Sequence, residues 1–434
     1  MRKLIQILLA ALCCVPMAAQ ESRGWKMAVL SDIHIMAPEL LREDGRAFQD
    51  YIAHDRKMLK ESPALLKTGV AELLKEHPDV VLVTGDLTKD GEKVSHEYVA
   101  RQLLQPLRQA GIPVYVIPGN HDVNNPHAVI FQKDTMERTA TVTPDEFARC
   151  YQDYGYGQAI ARDEHSLSYV VQLSDSTRLL AIDACKYEEN DYARNTCVTG
   201  GRIKPETMEF IRQQVADANR HGCRMLTMMH HGLVQHWKWQ DKVMADYLVD
   251  DWKKQAKAFA KLGLNIVFTG HFHAQDIAGF GKGAAKRVYD IETGSTVSYP
   301  LPFRLITFKG RQMRITTDYI RQIPGIRSME DLDAQARHFA EAGIATIIKD
   351  MLPKKVPDAV AADAGKVLGK AYVAHLAGDE RMPANYPAEL KAACKRLRPY
   401  SWKYAFALGK LGKYFYTDLY PADNKLVIET NVAY

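Results

Sequence analysis

Cysteine is scarce in this 434-residue chain: seven occur, and no two of them are spaced C-x-x-C. Because that spacing is typical of structural zinc sites, the usual site of this kind is excluded. Five cysteines follow the first nineteen residues, and an odd number in so long a chain is not a disulfide framework. A bridge between Cys185 and Cys197 is the one pairing that we consider.

Long apolar runs and excess charge are also lacking. Beyond the N-terminus no run is long and apolar enough to span a bilayer, so we expect no transmembrane segment in the mature chain. The formal net charge is only +5, which is too mild to favour nucleic acid as a partner. Hydrophobic residues make up 47% of the chain, enough for one large core and a smaller second unit.

Residues 1–19 have the features of a secretory signal. Arg2 and Lys3 precede an apolar run at 4–15, and small residues before Gln20 offer a cleavage site. We therefore expect an exported protein, periplasmic or extracellular. A short N-terminal membrane anchor is the alternative interpretation.

The first 120 residues alternate between predicted strands and helices. Apolar runs at 25–30, 79–83 and 114–117 predict buried strands, with helical spacing between them. This alternation predicts crossover units on a largely parallel sheet, which binds ligands at the carboxyl ends of its strands. Residues 124–165 break the rhythm, and we expect this insertion to wall the site.

The later part of the chain has a different character. Alternating residues at 287–316 predict antiparallel strands of a second sheet. Residues 322–434 predict a smaller, mainly helical C-terminal unit. An aromatic-rich run at 400–420 lies within it, and we expect those aromatic side chains to form its core rather than a cofactor box.

Residues suited to metal binding follow five predicted strands. They are Asp32, His34, Asp86, Asn120, His121, His230, His271 and His273. In an extended chain, residues two apart point the same way, so D-x-H and H-x-H can each grip one ion. Mixed carboxylate, imidazole and amide ligands suit manganese, iron or zinc. They are too many for one tetrahedral zinc and predict two ions that share a carboxylate.

The stretch G-N-H-D at 119–122 adds residues that can act on a substrate. His121 can donate or accept a proton, and Asp122 can orient it as a supporting carboxylate. Substrate contacts are expected from Asn124, Asn125 and His127 of the insertion, and from His231 beside His230. Each of these residues also has an ordinary reading as a turn, cap or satisfied polar group.

In this order, D-x-H, G-D, G-N-H-D, H-H and G-H-x-H resemble the calcineurin-like metallophosphoesterases. The pattern is most similar to the class III cyclic nucleotide phosphodiesterase and glycerophosphodiesterase group. The resemblance implies a four-layer αββα sandwich, with two mixed sheets flanked by helices, over residues 20–321. It implies one metal on Asp32, His34 and His273, a second on Asn120, His230 and His271, and Asp86 as the bridge between them.

The same resemblance implies that His121 faces the leaving group or the phosphate, with Asp122 steadying it. Two features depart from related patterns. Leu87 and Thr88 follow Asp86 where purple acid phosphatases place a tyrosine ligand shortly after G-D, so that ligand is missing. Gly232 follows the tandem histidine, where proline is frequent in the phosphodiesterase group.

The implied activity is hydrolysis of phosphodiesters or small phosphomonoesters, with a metal-activated hydroxide attacking phosphorus and Asn120 helping to neutralise the charge that develops. The expected partner is a small phosphate-ester substrate. A nuclease or a lipid, sphingomyelinase-like phosphodiesterase on the same site is one alternative. For a lipid phosphodiesterase, the aromatic side chains at 400–420 would supply an apolar platform instead of a core. A non-catalytic binding protein on this fold is another.

Overall fold

The computed structural model describes residues 24–283, 287–326 and 328–430, so the predicted leader lies outside the described residues. Fifteen strands are found in these ranges. They are β1 (Trp25–Leu30), β2 (Val80–Val83), β3 (Val114–Val116), β4 (Val129–Phe131), β5 (Met136–Arg138), β6 (Ala161–Arg162), β7 (Tyr169–Ser174), β8 (Thr177–Ile182), β9 (Arg224–Met229), β10 (Ile266–Thr269), β11 (Ile277–Phe280), β12 (Val288–Glu292), β13 (Pro302–Lys309), β14 (Gln312–Tyr319) and β15 (Lys425–Glu429).

Helices lie between and after the strands. They are α1 (Arg46–Ile52), α2 (Ser62–Glu76), α3 (Lys93–Val99), α4 (Gln105–Gln109), α5 (Pro144–Cys150), α6 (Pro205–Arg220), α7 (Gln240–Val243), α8 (Trp252–Leu262), α9 (Met329–Met351), α10 (Asp358–Ala377), α11 (Tyr386–Leu397) and α12 (Trp402–Tyr414). A π-helical turn at Ala100–Leu104 joins α3 to α4. Within the described ranges no helix combines the length and apolar character needed to cross a membrane.

Two large mixed sheets organise the chain. The first has the order β15-β14-β13-β1-β2-β3, in which β1, β2 and β3 run parallel. The second has the order β11-β12-β10-β9-β8-β7-β6, in which β8, β9, β10 and β12 run parallel. Parallel strands place their carboxyl ends at one edge of a sheet, so both sheets present the loops after these strands together.

Alternating side chains of the second sheet separate two cores. Leu179 and Leu226 belong to the core shared with the first sheet. Leu180 and Met225 point the other way, into a core covered by α6 and α8. Helix α2 covers the outer face of the first sheet through Leu66, Val70 and Leu73. The predicted sandwich of two mixed sheets flanked by helices is therefore confirmed.

One strand assignment from the sequence was wrong. Residues 287–316 do not all join the second sheet: β12 does, parallel to β10, whereas β13 and β14 pair antiparallel with β1 in the first sheet. Alternation of apolar and polar residues shows that a strand is half-buried, but it does not show which partner the strand finds.

The region after residue 328 consists mainly of the four helices α9 to α12. It then returns a strand to the first sheet, because β15 pairs antiparallel with β14. The expected insertion at 124–165 contains the β4–β5 hairpin, helix α5 and the short edge strand β6. The domain boundaries drawn from the sequence stay predictions.

Candidate metal centre

The loops after five parallel strands bring the predicted ligands together. Residues after β1, β2 and β3 come from the first sheet, and residues after β9 and β10 come from the second. All are buried, with exposed fractions of 5% or less for Asp32, His34, Asp86, Asn120, His230, His271 and His273. Their ligand atoms form two groups that share Asp86.

The first group contains Asp32, His34, Asp86 and His273. The Nε2 atoms of His34 and His273 are 3.0 Å apart. His273 Nε2 lies 3.2 Å from Asp32 Oδ1, and His34 Nε2 lies 3.5 Å from Asp86 Oδ2. These atoms converge on one point from the ends of β1, β2 and β10.

The second group contains Asp86, His230 and His271, with Asn120 beside it. His230 Nε2 lies 3.3 Å from Asp86 Oδ2, 3.1 Å from His271 Nδ1 and 3.2 Å from Asn120 Oδ1. The same Asp86 oxygen therefore faces both groups. This is the position that a bridging carboxylate would occupy.

The orientation of the rings favours a cation. His230 Nδ1 is 2.9 Å from the carbonyl oxygen of Thr84, so it carries the proton and the Nε2 lone pair faces the cluster. Asp32 Oδ1 is buried and has no hydrogen-bond partner among the described residues. A buried carboxylate oxygen without a hydrogen bond is costly unless a cation approaches it, and the nearest group here is the imidazole nitrogen of His273 at 3.2 Å. The donor set therefore fits two transition-metal ions.

The electrostatics of the ligand residues agree with this fit. Burial lowers the pKa of His273 to about 4, and it lowers the pKa of His34 and His271 well below the ordinary value. Burial opposes the charge on His230, but the Asp86 carboxylate raises the pKa of His230 to about 9. Since a metal ligand must be the neutral imidazole, loading of the second group would release a proton.

The ligand residues adopt an unusual backbone conformation. Asp32, His34, Asp86, His271 and His273 all have positive φ, at 49°, 35°, 48°, 80° and 70°. The argument that D-x-H and H-x-H grip an ion in extended chain was therefore wrong in its geometry. The residues still converge, because left-handed turns rather than strands aim them. Such backbone costs of the order of 1 kcal/mol or more per residue and persists only where the surroundings enforce it.

Two glycines make room for this packing. Gly85 has φ of 98°, and a Cβ there would lie 2.6 Å from His230 Nδ1. A Cβ on Gly119 would lie 2.1 Å from Asp86 Oδ1. Any larger residue at either position would displace a ligand, so glycine is required for close approach rather than for flexibility.

Asp122 does not orient His121 as the sequence predicted. Its carboxylate accepts hydrogen bonds from the backbone N–H groups of Leu87, Thr88 and Gly119, at 2.9 to 3.0 Å. Burial raises the pKa of Asp122 to about 7. Asp122 therefore ties the loop after β2 to the loop after β3.

Asp90 takes the place that was expected of Asp122. His121 Nδ1 lies 2.8 Å from Asp90 Oδ1 and 2.7 Å from the carbonyl oxygen of Lys89. This leaves His121 Nε2 available, on a side chain that is 26% exposed and perpendicular to the His34 ring at 4.8 Å. Burial opposes ionisation of Asp90, but Lys89 holds the pKa of Asp90 below its ordinary value.

The predicted substrate contacts lie near the centre but make other bonds. Asn125 is buried and donates to the carbonyl oxygen of His121. The carbonyl oxygen of Asn124 accepts from Asn190, and His127 Nε2 is 3.0 Å from the carbonyl oxygen of Asn195. The insertion thus supports the loop that carries His121. Direct contact of Asn124 or His127 with substrate stays a prediction.

The two adjacent histidines after β9 separate clearly. His230 joins the second group, whereas His231 Nε2 is 2.9 Å from the carbonyl oxygen of Thr199. The His231 ring packs 4.5 Å from that of His271, and burial lowers the pKa of His231 to about 3. His231 thus supports a ligand, and a contact with substrate stays a prediction for it.

The bridge considered between Cys185 and Cys197 is not formed, since both thiols are free. Cys185 Sγ contacts the carbonyl oxygen of Pro118 at 3.4 Å, and Cys197 Sγ contacts that of Asn120 at 3.5 Å. Each thiol therefore bonds to the loop after β3 rather than to the other thiol.

Two cations beside the first group were missed from the sequence. Arg56 and Lys57 come from the loop after α1, and their charges help burial to lower the pKa of His273. The backbone of Arg56 is tied to the site by Ser298, whose hydroxyl donates to the Arg56 carbonyl and lies 3.4 Å from His273 Nδ1. The adjacent R-K pair is the only sequence signal, and it resembles any charged surface stretch.

The arrangement of the sheets and of these loops agrees with a match to a family model. Residues 26–275 match the model for the calcineurin-like phosphoesterases, and the chain belongs to this family. The matched region contains every residue of both ligand groups.

Matches to individual proteins are weaker. A probable cyclic nucleotide phosphodiesterase of Psychrobacter sp. (strain PRwf-1) is 27% identical over 198 residues, which cover 45% of this chain and 46% of the relative. A dimetal phosphatase from Danio rerio is 12% identical, with a TM-score of 0.47 over 69% of this chain and 97% of that chain. Purple acid phosphatase from yellow lupin seeds is 12% identical, with a TM-score of 0.43 over 69% of this chain and 52% of that one.

Proposed function

We propose that this protein is a phosphoester hydrolase that uses two transition-metal ions, manganese, iron or zinc. The observation that carries the proposal is the single Asp86 oxygen that faces two converging groups of buried ligands. Family membership supports it. Two ions held in this way would supply an activated water and would offset charge at phosphorus.

The chain's own residues then have distinct roles. Asp32, His34 and His273 would hold one ion, His230, His271 and Asn120 the other, and Asp86 both. His121 would donate a proton or a hydrogen bond to the leaving oxygen through Nε2, because Nδ1 is engaged by Asp90. Asp90 is a positioning residue, since it acts through the His121 ring.

For the substrate we propose a phosphodiester. The support is the name of the relative from Psychrobacter, a probable cyclic nucleotide phosphodiesterase. One observation favours a phosphomonoester instead. Arg56 and Lys57 place two positive charges beside the first group, and a monoester carries more negative charge than a diester.

Hydrolysis of bis-p-nitrophenyl phosphate and p-nitrophenyl phosphate by manganese-loaded protein tests both points. We expect turnover of both, with the diester faster. In Asp86→Ala we expect metal content and turnover to fall together, by more than the roughly 10- to 100-fold that loss of an outer partner costs. A faster monoester would reverse the substrate proposal.

Asp183→Asn is the matched control. Asp183 is also buried at a strand end of the second sheet, but it accepts bonds from the backbone N–H groups of Leu167 and Cys185. We expect this variant to keep its metal and its turnover. Full activity of Asp86→Ala would contradict the proposed centre, and bound metal without any turnover would favour a binding protein.

We also propose that the protein is exported, because residues 1–19 have the charge, apolar run and small residues of a secretory signal. N-terminal sequencing of protein from a secreting host tests this. A mature N-terminus at Gln20 is expected, and an uncleaved leader would favour the membrane anchor.

A further inference from the structure

Helix α12 exposes the side chains that a helix of a soluble domain usually buries. Its buried residues are Ala405, Leu408 and Gly412, all of small or moderate size. Trp402 is 66% exposed and Phe406 is 54% exposed, one turn apart on the same face. The expectation that aromatic residues at 400–420 form a core is therefore wrong for these positions.

The surroundings of these aromatic side chains are strongly basic. Residues 390–417 contain seven lysines and arginines and no aspartate or glutamate. Six of the cations are exposed, and Lys391, Lys395, Arg398 and Lys403 among them form no ion pair with any other residue of the described ranges. Local charge of one sign thus accumulates in a chain whose net charge is mild.

The exposed residues line a common groove between α11 and α12. It has a volume of about 760 Å³ and is lined by Lys391, Cys394, Lys395, Arg398, Trp402, Ala405 and Phe406. We call Lys391, Lys395, Arg398, Trp402 and Phe406 the aromatic–basic surface. Its aromatic side chains and its cations line the same groove.

This surface is connected to the metal centre through one loop. Trp239 lies in the segment after His230, and its ring is 5.9 Å from that of Phe406. The same segment ends at Tyr247, whose ring packs 4.7 Å from the His271 ring. One loop therefore touches the aromatic–basic surface in its middle and the ligand groups at both ends.

We propose that the aromatic–basic surface binds the face of a bilayer that contains anionic phospholipid. Exposed tryptophan and phenylalanine side chains suit the boundary between headgroups and acyl chains. Unpaired lysines and arginines are drawn to anionic lipid headgroups. Lipid is favoured over a second copy of the chain, because two such surfaces would place like charges together. The proposal does not rest on the metal centre.

Co-sedimentation with vesicles of phosphatidylcholine, with and without phosphatidylglycerol, tests this proposal on the full mature chain. We expect binding only to the anionic vesicles, reduced by added salt. Two double variants, Trp402→Ser with Phe406→Ser and Lys395→Glu with Arg398→Glu, should each weaken binding by at least about tenfold.

Matched controls change residues of the same kind elsewhere. Met136→Ser removes an exposed hydrophobic side chain, 53% exposed, and Lys67→Glu with Lys257→Glu reverses two exposed charges. Neither should alter binding. Equal binding of all variants would overturn the proposal. Two other results would also overturn it, if the Trp402→Ser, Phe406→Ser variant abolished them: self-association of the protein, or binding of single-stranded oligonucleotide in place of vesicles.

Discussion

Two buried clusters of histidine and carboxylate lie on either side of the segment 270–276. In the metal centre, ring nitrogens face ring nitrogens, at 3.0 Å for His34 and His273. In the second cluster, each contacting ring nitrogen faces an acid. His236 Nδ1 is 2.8 Å from Asp276 Oδ1, and His375 Nδ1 bonds to Glu380.

The difference shows which contacts within a cluster of histidine and carboxylate side chains indicate a metal site. Asp276, His375 and Glu380 are close enough together to hold an ion. In this cluster, however, the Nδ1 atom of each histidine already contacts a carboxylate oxygen, of Asp276 for His236 and of Glu380 for His375. Two imidazole lone pairs that point at each other instead need a cation between them. Ring nitrogens of both clusters lie near acids, but direct contacts between ring nitrogens, as in His34–His273 and His230–His271, occur in the metal centre and not among the described contacts of the second cluster.

The largest effect is expected from removing an acid of the second cluster. Asp276→Ala should lower the free energy of unfolding by about 3–5 kcal/mol, because it leaves the buried Nδ1 atom of His236 without its carboxylate partner. Metal content of the folded protein should not change. Urea unfolding and metal analysis measure the two quantities. If Asp276→Ala lost metal and kept its stability, the second cluster would be a metal site instead.

Metal should stabilise the protein only by binding at the metal centre, and not by binding at the second cluster. At a free manganese concentration of 100 times Kd, the free energy of unfolding should rise by about 2.7 kcal/mol per site relative to chelated protein. Asp86→Ala should lose most of this gain, whereas Asp276→Asn should keep it on a lower baseline. Equal gains in both variants would show that the ions bind elsewhere.

Asp90 has features of both clusters. Its carboxylate pairs with the Lys89 cation at 2.5 Å, and it also contacts His121 beside the metal centre. Asp90→Asn should slow hydrolysis of a diester with an alkoxide leaving group by about 10- to 100-fold. A p-nitrophenolate leaving group, which needs no proton, should be affected less. Glu92→Gln is the control, because Glu92 contacts Lys89 at 3.0 Å. Uniform loss for both leaving groups would rule out positioning of an acid.

The smallest effect is a pH dependence from the second cluster. Burial opposes the charge on His236, but Asp290 and Asp276 hold the pKa of His236 well above its ordinary value of 6.5. The contribution of protonated His236 to the free energy of unfolding is complete below pH 6.5. It is lost as pH rises toward the folded-state pKa of His236, by up to about 1.4 kcal/mol per pH unit. His236→Gln should lack this slope in urea unfolding, and identical slopes would contradict the assignment.

Much of the site was readable from the sequence because of where its residues fall. Each ligand follows a short apolar run that ends in a turn, as Asp86 follows β2 and His271 follows β10. Parallel strands end together, so residues at such ends meet in space. The layered fold was predictable for the same reason.

Other features depend on packing that no local pattern encodes. Asp90 reaches His121 only because the loop after β2 folds back over the loop after β3, whereas Asp122 was the nearer acid in sequence. Arg56 reaches His273 through the Ser298 hydroxyl, 242 residues away from Arg56. The alternation at 302–309 fixed the buried face of β13 but not its sheet.

The left-handed backbone at Asp32, His34, Asp86, His271 and His273 has a consequence for how the sequence would change if metal binding were lost in evolution. A descendant that no longer needed its ions would gain stability by relaxing these turns or by placing glycine in them. Non-glycine residues at positive φ are therefore expected only where their side chains are still needed as ligands. Among family members, this backbone feature would distinguish working centres from abandoned ones even where the side chains look alike.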